Sequence, residues 1–191
     1  MSTIRAFIAI DLSDEARAVL ADVGGTLASQ MPQGVVKWVE PRRMHLTLRF
    51  LGNTPLDRLD ELADAMDEAT QTHAPFTLRL DALGCFPNER RPRVIWVGVE
   101  GDVAQAEALR AAIEEKLEPL GWQPEEKSFR PHLTLGRVKD RKATIDLPWG
   151  QGVAPASINV KEIVLFESQL RRSGPQYIAR YVSRLGSGDL R

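Results

Sequence analysis

Apolar and polar residues alternate along several short segments of the chain, a pattern typical of strands with one buried face. The last two such segments, EIVLFESQL and QYIARYVSRL, are separated by RRSGP and are expected to pair as a hairpin. Strands are predicted at 4–12, 45–52, 76–84, 94–101, 129–139, 162–170 and 176–185. A chain so rich in strands is predicted to be built around β-sheet structure.

Three other segments repeat apolar residues at intervals of three and four, the spacing of a helix with one buried face. Ser13 is expected to cap the first helix, Pro55 to open the second and Asp102 to cap the third. Helices are predicted at 13–31, 55–71 and 103–118. The segment 141–157 shows neither period and is predicted to be a long loop, and the tail 186–191 is expected to be loosely held.

The tetrapeptide HLTL occurs twice, beginning at His45 and at His132. Each copy follows a strand and then a helix, and the spacing is nearly the same in both cases: 38 residues from Phe7 to His45, and 37 from Ile95 to His132. This repeated order predicts that the two halves of the protein are copies of one unit.

Within HLTL the imidazole and the hydroxyl share one face of a strand, about 7 Å apart along the backbone, while both leucines face the core. The hydroxyl can donate a hydrogen bond to a phosphoryl oxygen, and the imidazole can take up or release a proton. If the two strands lie side by side, His45, Thr47, His132 and Thr134 surround one cleft. Displacement at phosphorus needs a base and an acid on opposite sides, so these four are candidate catalytic residues.

Arg130 precedes His132 by two positions and shares its face if the strand is regular. A guanidinium there would offset the charge that builds on phosphate oxygens, which makes Arg130 a candidate substrate-binding residue. Arg43 stands in the same relation to His45, but it borders a predicted turn at EPRR, so Arg130 is preferred. Neither HLTL segment has the ligand spacing of a metal site, and no metal or other cofactor is expected.

The composition is that of an ordinary globular protein, and the formal net charge is −1. A nucleic-acid partner would therefore be held locally rather than by an overall positive field. The single Cys85 excludes an internal disulfide and is expected to be a small buried residue. The chain starts without an apolar leader and contains no apolar run long enough to span a bilayer, so a cytoplasmic protein without membrane contact is expected.

The pair HLTLRFLG and FRPHLTLGR, with histidines 87 residues apart, resembles the His-x-Thr-x signature of the two-histidine phosphoesterase superfamily. The opening strand AFIAIDL and the phrase VKWVEPRRMHLTLRFLG are most similar to the RNA 2',3'-cyclic phosphodiesterases, also named 2'-5' RNA ligases. The resemblance covers 4–185 and implies an α+β fold. It also implies a single bilobal domain over 1–191, with two antiparallel sheets related by a pseudo-two-fold axis, helices outside and a central groove.

The same resemblance implies hydrolysis of a terminal 2',3'-cyclic phosphate to a 2'-phosphomonoester without a metal. His45 would protonate the leaving 3'-oxygen, His132 would activate water, and Thr47 and Thr134 would hold phosphate oxygens. With a 5'-hydroxyl in place of water, the reaction would join RNA ends through a 2'-5' linkage. The expected partner is an RNA end bearing a 2',3'-cyclic phosphate, such as a tRNA half, and the expected state is a monomer.

Two other functions fit these residues. The site could act on a small cyclic nucleotide or another cyclic phosphate, or the protein could hold an RNA end without turning it over. The simplest alternative is that the His and Thr side chains merely face solvent on a strand or line the core.

The remaining candidates have structural alternatives. His73, near the end of the second predicted helix, is expected to be structural because an imidazole there favours the helix dipole. Basic clusters that could bind RNA phosphates, or simply face solvent, lie at 89–93, 136–142 and 171–173. Aromatic residues that could stack on a terminal base, or pack in the core, are Phe7, Trp38 and Trp149.

Overall fold

The structure is a computed structural model that describes residues 2–126, 128–140, 143–171 and 174–186. These residues form nine strands, three α-helices and two short 3-10 turns. The strands are β1 (Thr3–Ile10), β2 (Val36–Trp38), β3 (Leu46–Pro55), β4 (Phe76–Phe86), β5 (Val94–Gly101), β6 (His132–Val138), β7 (Ser157–Val160), β8 (Glu162–Arg171) and β9 (Gly174–Arg184). The helices are α1 (Asp14–Ser29), α2 (Leu59–Gln71) and α3 (Val103–Leu117).

All nine strands belong to one antiparallel sheet in the order β7, β4, β5, β6, β3, β1, β8, β9, with β2 alongside β6. The strands β3 and β6, which contain most of the two HLTL segments, are neighbours at the centre and are joined by a single residue pair, Leu46 with Leu133. The expectation of two sheets is therefore corrected to one sheet with two halves of four strands each and β2 paired to β6.

Both HLTL strands carry the same irregularity next to the candidate site. In β3, Thr47 pairs with Ala9 and Arg49 pairs with Ile8 of β1, so Leu48 between them has no partner. In β6, Leu135 is an extra residue between positions that pair with successive residues of β5. In each strand the extra residue is the last of HLTL, and a bulge of this kind reverses the alternation of faces beyond it.

The core lies on the face of the sheet that the HLTL leucines share. Leu46 and Leu133 are fully buried there, together with apolar residues of all three helices such as Leu20, Leu62 and Leu109. Because successive residues of a strand face opposite ways, the His and Thr side chains that flank these leucines must point away from the core. Burial of the leucines thus fixes the orientation of the functional face.

Arg49, which follows the first HLTL, also faces the helices. Its guanidinium lies 3.2 Å from the carboxylate of Glu114 in α3 and 3.1 Å from that of Glu125, and its side chain is buried. Two carboxylates satisfy the buried charge, without which burial would be strongly unfavourable. The cluster holds α3 against β3 from the core side.

Most predicted elements agree with the structure to within a few residues. Ser13 caps α1, since its side-chain oxygen accepts a hydrogen bond from the Ala16 N–H, and β8 and β9 form the predicted hairpin. Pro55 is the last residue of β3, which pairs with β1 up to that point, and it also caps a 3-10 turn, Leu56–Arg58, that leads directly into α2. Asp102 precedes α3 without capping it, because its carboxylate accepts a hydrogen bond from the Thr77 N–H instead.

The predicted loop 141–157 is described from residue 143 onward. It is irregular except for a bridge between Gly152 and Ala82 of β4, and it ends in β7, which the sequence pattern did not indicate because the strand has only four residues. The tail lies outside the described residues beyond Gly186. In the described ranges, no helix has the length and apolar character needed to cross a membrane.

Candidate active site

The central pair of leucines sets the geometry of the candidate site. Extending its antiparallel register by one residue in each direction places His45 opposite Thr134 and Thr47 opposite His132. All four side chains line a single cleft. The structure therefore brings together the four residues that the two HLTL segments predicted as a group.

Both imidazoles are oriented by a backbone carbonyl two residues earlier. Nδ1 of His45 lies 2.9 Å from the carbonyl oxygen of Arg43, and Nδ1 of His132 lies 2.6 Å from that of Arg130. A neutral ring that donates its Nδ1–H in this way carries no proton on Nε2. Each Nε2 can therefore accept a proton, or donate one when the ring is charged.

Aromatic rings surround His45. The Phe7 ring stacks on it with 4.6 Å between centroids, and the Tyr177 ring meets it edge-on at 5.2 Å. Burial lowers the pKa of His45 from 6.5 to about 4, and the hydrogen bond to the Arg43 carbonyl offsets only part of this effect. Without a bound anion, His45 is therefore neutral at pH 7.

His132 has a comparable but less buried setting. The Phe86 ring meets it edge-on at 4.8 Å, and the Trp96 ring lies 6.0 Å away. Burial lowers the pKa of His132 as well; the hydrogen bond to the Arg130 carbonyl opposes the shift, and the charge of Arg137 adds to it. The two histidines thus share a sequence motif but not an environment.

The cleft has a volume of about 480 Å³ and a positive lining. Its charged residues are Arg5, Lys37, Arg43 and Arg137, and none of the described Asp or Glu side chains lines it. Lys37 and Arg137 are directly opposite each other on β2 and β6, and like charges so placed are destabilising. Arg43 is paired with Glu40 at 3.1 Å. A bound anion such as phosphate would relieve the repulsion.

The structure does not place the Arg130 guanidinium in this cleft. Strand β6 begins only at His132, so the alternation that was expected to put Arg130 on the same face does not reach it. Its guanidinium lies over the Phe86 ring at 4.9 Å and lines a second cavity. A role for Arg130 in substrate binding stays a prediction, and it would act in that cavity.

Because of the bulges, two cleft residues lie on a face that regular alternation does not predict, and the sequence indicates one of them, Arg137, only as a member of the basic cluster 136–142. Phe50 and Arg137 each follow the histidine of their half by five positions, an odd number that would turn them into the core of a regular strand. The extra leucine reverses the faces, so that Phe50 pairs with Phe7 and Arg137 pairs with Val94. Equivalent positions thus place an exposed ring in one half of the cleft and a guanidinium in the other.

Tyr177 was also missed, since it reaches the cleft from β9 and no pattern around it in the sequence indicates chemistry. Burial raises the pKa of Tyr177, and the charges of Arg137, Arg43 and Arg5 offset part of the rise. Its phenol is therefore protonated at neutral pH and lies within the field of these guanidinium groups. It can donate a hydrogen bond but not act as an anion.

The other candidates separate by location. Phe7 and Trp38 line the cleft, whereas Trp149 lines the second cavity. His73 Nδ1 lies 2.9 Å from a carbonyl oxygen in the last turn of α2, a structural contact. Cys85 is buried, and burial raises the pKa of its thiol. Across the described ranges, no three His, Cys, Asp or Glu side chains are grouped as metal ligands.

The basic clusters are also divided between the two cavities. The cluster at 89–93 contributes Arg90 to the second cavity, and the cluster at 136–142 contributes Arg137 to the cleft. Parts of two clusters, residues 141–142 and 172–173, lie outside the described residues.

Comparison with known proteins places this site in a family. A sequence model described as the 2'-5' RNA ligase superfamily matches residues 11–172, a range that contains both HLTL segments. The chain belongs to the 2'-5' RNA ligase superfamily. Membership confirms the resemblance that the two HLTL segments indicated.

Similarity to individual members of the superfamily extends over nearly the whole chain. The RNA 2',3'-cyclic phosphodiesterase of Methanothermobacter thermautotrophicus is 34% identical over 187 residues, which are 95% of this chain and 99% of that protein. A crystal structure from Thermus thermophilus has a TM-score of 0.76 at 32% identity and covers 97% of this chain and 100% of its own. Escherichia coli LigT in its apo form has a TM-score of 0.77 at 26% identity, with coverage of 97% and 99%.

Proposed function

We propose that this chain hydrolyses RNA ends bearing a 2',3'-cyclic phosphate to 2'-phosphomonoesters by two-histidine general acid–base catalysis. The observation that carries the proposal is the central pairing of the two HLTL strands, which puts two imidazoles and two hydroxyls around one cationic cleft. Membership of the 2'-5' RNA ligase superfamily supports it. A binding protein would need the cations and hydroxyls but not an acid and base pair.

In the proposed reaction a water oxygen attacks phosphorus, and the bond from phosphorus to the 3'-oxygen breaks as the new bond forms. Nε2 of His132 takes the proton from the water, and Nε2 of His45 gives a proton to the 3'-oxygen. The Thr47 and Thr134 hydroxyls donate hydrogen bonds to the non-bridging oxygens, where charge accumulates. The products are a 2'-phosphomonoester and a 3'-hydroxyl.

Burial of His45 opposes its role as the acid, because a ring with a pKa of about 4 carries little charge at neutral pH. An anion about 4 Å away contributes about 4 kcal/mol at an effective dielectric constant near 20, equivalent to about three pKa units. The phosphate of the substrate is therefore sufficient to return His45 to a pKa near neutrality. We propose that substrate binding charges His45 and so prepares the acid.

An RNA end is favoured over a small cyclic nucleotide by the number of charges in the cleft. The described lining residues include four cationic side chains, of which Arg43 is paired with Glu40, whereas a single cyclic phosphate carries one negative charge. Each further phosphodiester of an RNA adds one more. If RNA is the substrate, kcat/KM is expected to rise from a mononucleotide cyclic phosphate to an oligonucleotide, and an equal value for both would favour the small substrate.

We further propose that residues 1–191 form a single bilobal domain with halves related by a pseudo-two-fold axis. The strand order supports this, because each half places its HLTL strand beside the strand that precedes its first helix, β3 beside β1 and β6 beside β5. A cytoplasmic location, a monomeric state and tRNA halves as natural substrates stay predictions.

Product analysis tests the main proposal. An oligoribonucleotide with a 2',3'-cyclic phosphate end is incubated with the protein, with and without EDTA, and ³¹P NMR locates the phosphate in the product. We expect a 2'-phosphate at the same rate in both conditions. A 3'-phosphate would contradict the assignment of the leaving group, dependence on a removable metal would contradict the two-histidine mechanism, and unchanged ends would favour a binding role.

A further inference from the structure

A second cavity, of about 640 Å³, lies beyond His132 on the same face of the sheet as the cleft. Thr134, Trp96 and Gly84 are register partners on the adjacent strands β6, β5 and β4, and directly paired residues share a face. Thr134 lines the cleft, whereas Trp96 and Gly84 line the second cavity. The two spaces therefore follow one another across the sheet.

The wall between the two spaces is built from rings that touch His132. The Phe86 ring lies edge-on to the imidazole at 4.8 Å, and the Trp96 ring lies 6.0 Å from it. Trp96 can lie flat on the sheet only because residue 84 is a glycine, since a Cβ there would be 2.5 Å or less from three carbons of the indole ring. Only the rings of Phe86 and Trp96 would thus separate a molecule in the second cavity from His132.

The lining of this cavity suits a nucleotide. Trp96 and Trp149 offer indole rings, and base stacking on aromatic rings is tolerant of sequence. Arg90 and Arg130 supply two guanidinium groups, neither of which has an ion-pair partner among the described residues, and Glu89 is the only described carboxylate that lines the cavity. A volume of this size is in the range that holds a ligand as large as a nucleotide.

We propose that the second cavity binds the 5'-terminal nucleotide of an RNA that carries a 5'-hydroxyl, and so serves as the acceptor site for 2'-5' ligation. The proposal rests on the proposed function and on the assignment of His132 as the base. In an in-line displacement the nucleophile approaches from the side of the base. The second cavity lies on that side, whereas Phe7, Phe50 and Tyr177 surround the opposite side, near His45.

The ligation step uses the same residues as hydrolysis and balances without a further reactant. The 5'-oxygen of the acceptor RNA attacks phosphorus while the bond to the 3'-oxygen breaks. The proton of the 5'-hydroxyl passes to Nε2 of His132, and His45 protonates the 3'-oxygen. The product is a 2'-5' phosphodiester beside a free 3'-hydroxyl.

The second cavity affects only which nucleophile attacks the phosphorus, the 5'-hydroxyl of an RNA or water. Water needs no binding site, whereas an RNA acceptor gains its advantage over water from being held in position. Loss of an acceptor contact is therefore expected to lower ligation and leave hydrolysis nearly unchanged. The ratio of the two products also cancels any difference in the amount of folded protein.

The test compares Arg90→Gln and Trp149→Leu with the unaltered protein and with Arg91→Gln. Arg91 is the matched control, because it is the adjacent exposed arginine and does not line either cavity. Each protein receives one oligoribonucleotide ending in a 2',3'-cyclic phosphate and a second one with a 5'-hydroxyl, and ligated and hydrolysed products are quantified in the same reaction. Arg90→Gln and Trp149→Leu are each expected to lower the ratio of ligation to hydrolysis at least about tenfold, with hydrolysis within about twofold.

The outcomes separate this inference from the proposed function. Hydrolysis by the unaltered protein without any ligation, an unchanged ratio in both variants, or an equal change in Arg91→Gln would overturn the acceptor site alone. An unaltered protein that hydrolyses no cyclic phosphate would refute the proposed function itself. Saturation of ligation with increasing acceptor RNA, lost in Arg90→Gln, would support the acceptor site independently.

Discussion

The two HLTL halves of the sheet have the same backbone arrangement and different surroundings. Each half has an imidazole tied to a carbonyl two residues earlier, a hydroxyl two residues later and a bulge at the last leucine. In one half Phe7 and Tyr177 bury the ring of His45. In the other half, His132 is less buried and lies next to Phe86 and the second cavity.

The repeated sequence gives both halves the same backbone geometry, whereas the side chains around each histidine give the two rings different chemical environments. A symmetric pair of histidines could not decide which is the acid and which is the base. Burial lowers the pKa of His45 to about 4 and so opposes the acid role proposed for it until a phosphate binds, and burial also lowers the pKa of the less buried His132. The equivalent positions Phe50 and Arg137 give the two sides an apolar and a charged character. The four predictions below test whether the halves act jointly and where they differ.

The largest effect is expected from removing either imidazole. His45→Ala and His132→Ala should each lower kcat for cyclic phosphate hydrolysis at least about a hundredfold, as loss of a general acid or base usually does. Because both act in one step, the double variant should be far less impaired than the product of the single effects. His73→Ala is the control. A near-normal rate in either single variant would show that the two histidines do not act together in one step.

The unequal burial of the two rings should be visible in stability. Between pH 6.5 and about 4 the unfolded chain binds a proton at residue 45 that the folded protein does not, so the free energy of unfolding falls as the pH is lowered through this window. The loss approaches about 3 kcal/mol near pH 4 and then levels off, because both states are protonated below it. Urea titrations should show this loss greatly reduced in His45→Gln, and an equal or larger reduction in His132→Gln would contradict the unequal burial.

The equivalent positions Phe50 and Arg137 should affect different kinetic constants. Arg137→Gln removes a charge next to the phosphate and should lower kcat about tenfold to fiftyfold. Phe50→Ala removes a stacking surface and should raise KM for an RNA substrate about tenfold while kcat stays within about twofold. Arg184→Gln, an exposed arginine outside the cleft, is the control. The same change in kcat for both variants would mean that the two sides are not specialised.

The smallest effect concerns the pH optimum. In the free protein both histidines have lowered pKa values, so kcat/KM should reach its maximum below pH 6.5. A bound phosphate favours the charged rings, so kcat, which reports the complex, should reach its maximum at least about one pH unit higher. Coincident profiles for kcat and kcat/KM would show that substrate does not charge His45.

The positions of the catalytic candidates could be predicted because they depend on local rules. Alternation within HLTL assigns His and Thr to one face and leucine to the other, and the order of strand and helix before each copy indicates a repeat. His45, Thr47, His132 and Thr134 line one cleft as the pattern required. Within each copy the spacing of His and Thr is local, whereas the meeting of the two copies depends on the pairing of Leu46 with Leu133.

The rest of the cleft could not be predicted because it depends on non-local pairing. Arg137 and Phe50 face the cleft only because each strand contains one extra leucine that has no partner in the neighbouring strand. The sequence of one strand does not reveal its register with another. Arg130 failed the same parity rule because the regular strand begins two residues later. Tyr177 reaches the cleft because the hairpin of β8 and β9 pairs with β1, a segment distant in the chain.

The bulge at Leu135 makes the number of residues in β6 as important as their identity. The spacing from Thr134 to Arg137 is odd, so regular pairing of the present sequence with β5 would turn the guanidinium towards the helices and present the preceding glycine to the phosphate. Removing Leu135 would make the spacing even, and a regular strand would then keep both side chains on the cleft face without a bulge. The same reasoning applies to Leu48 and the spacing from Thr47 to Phe50.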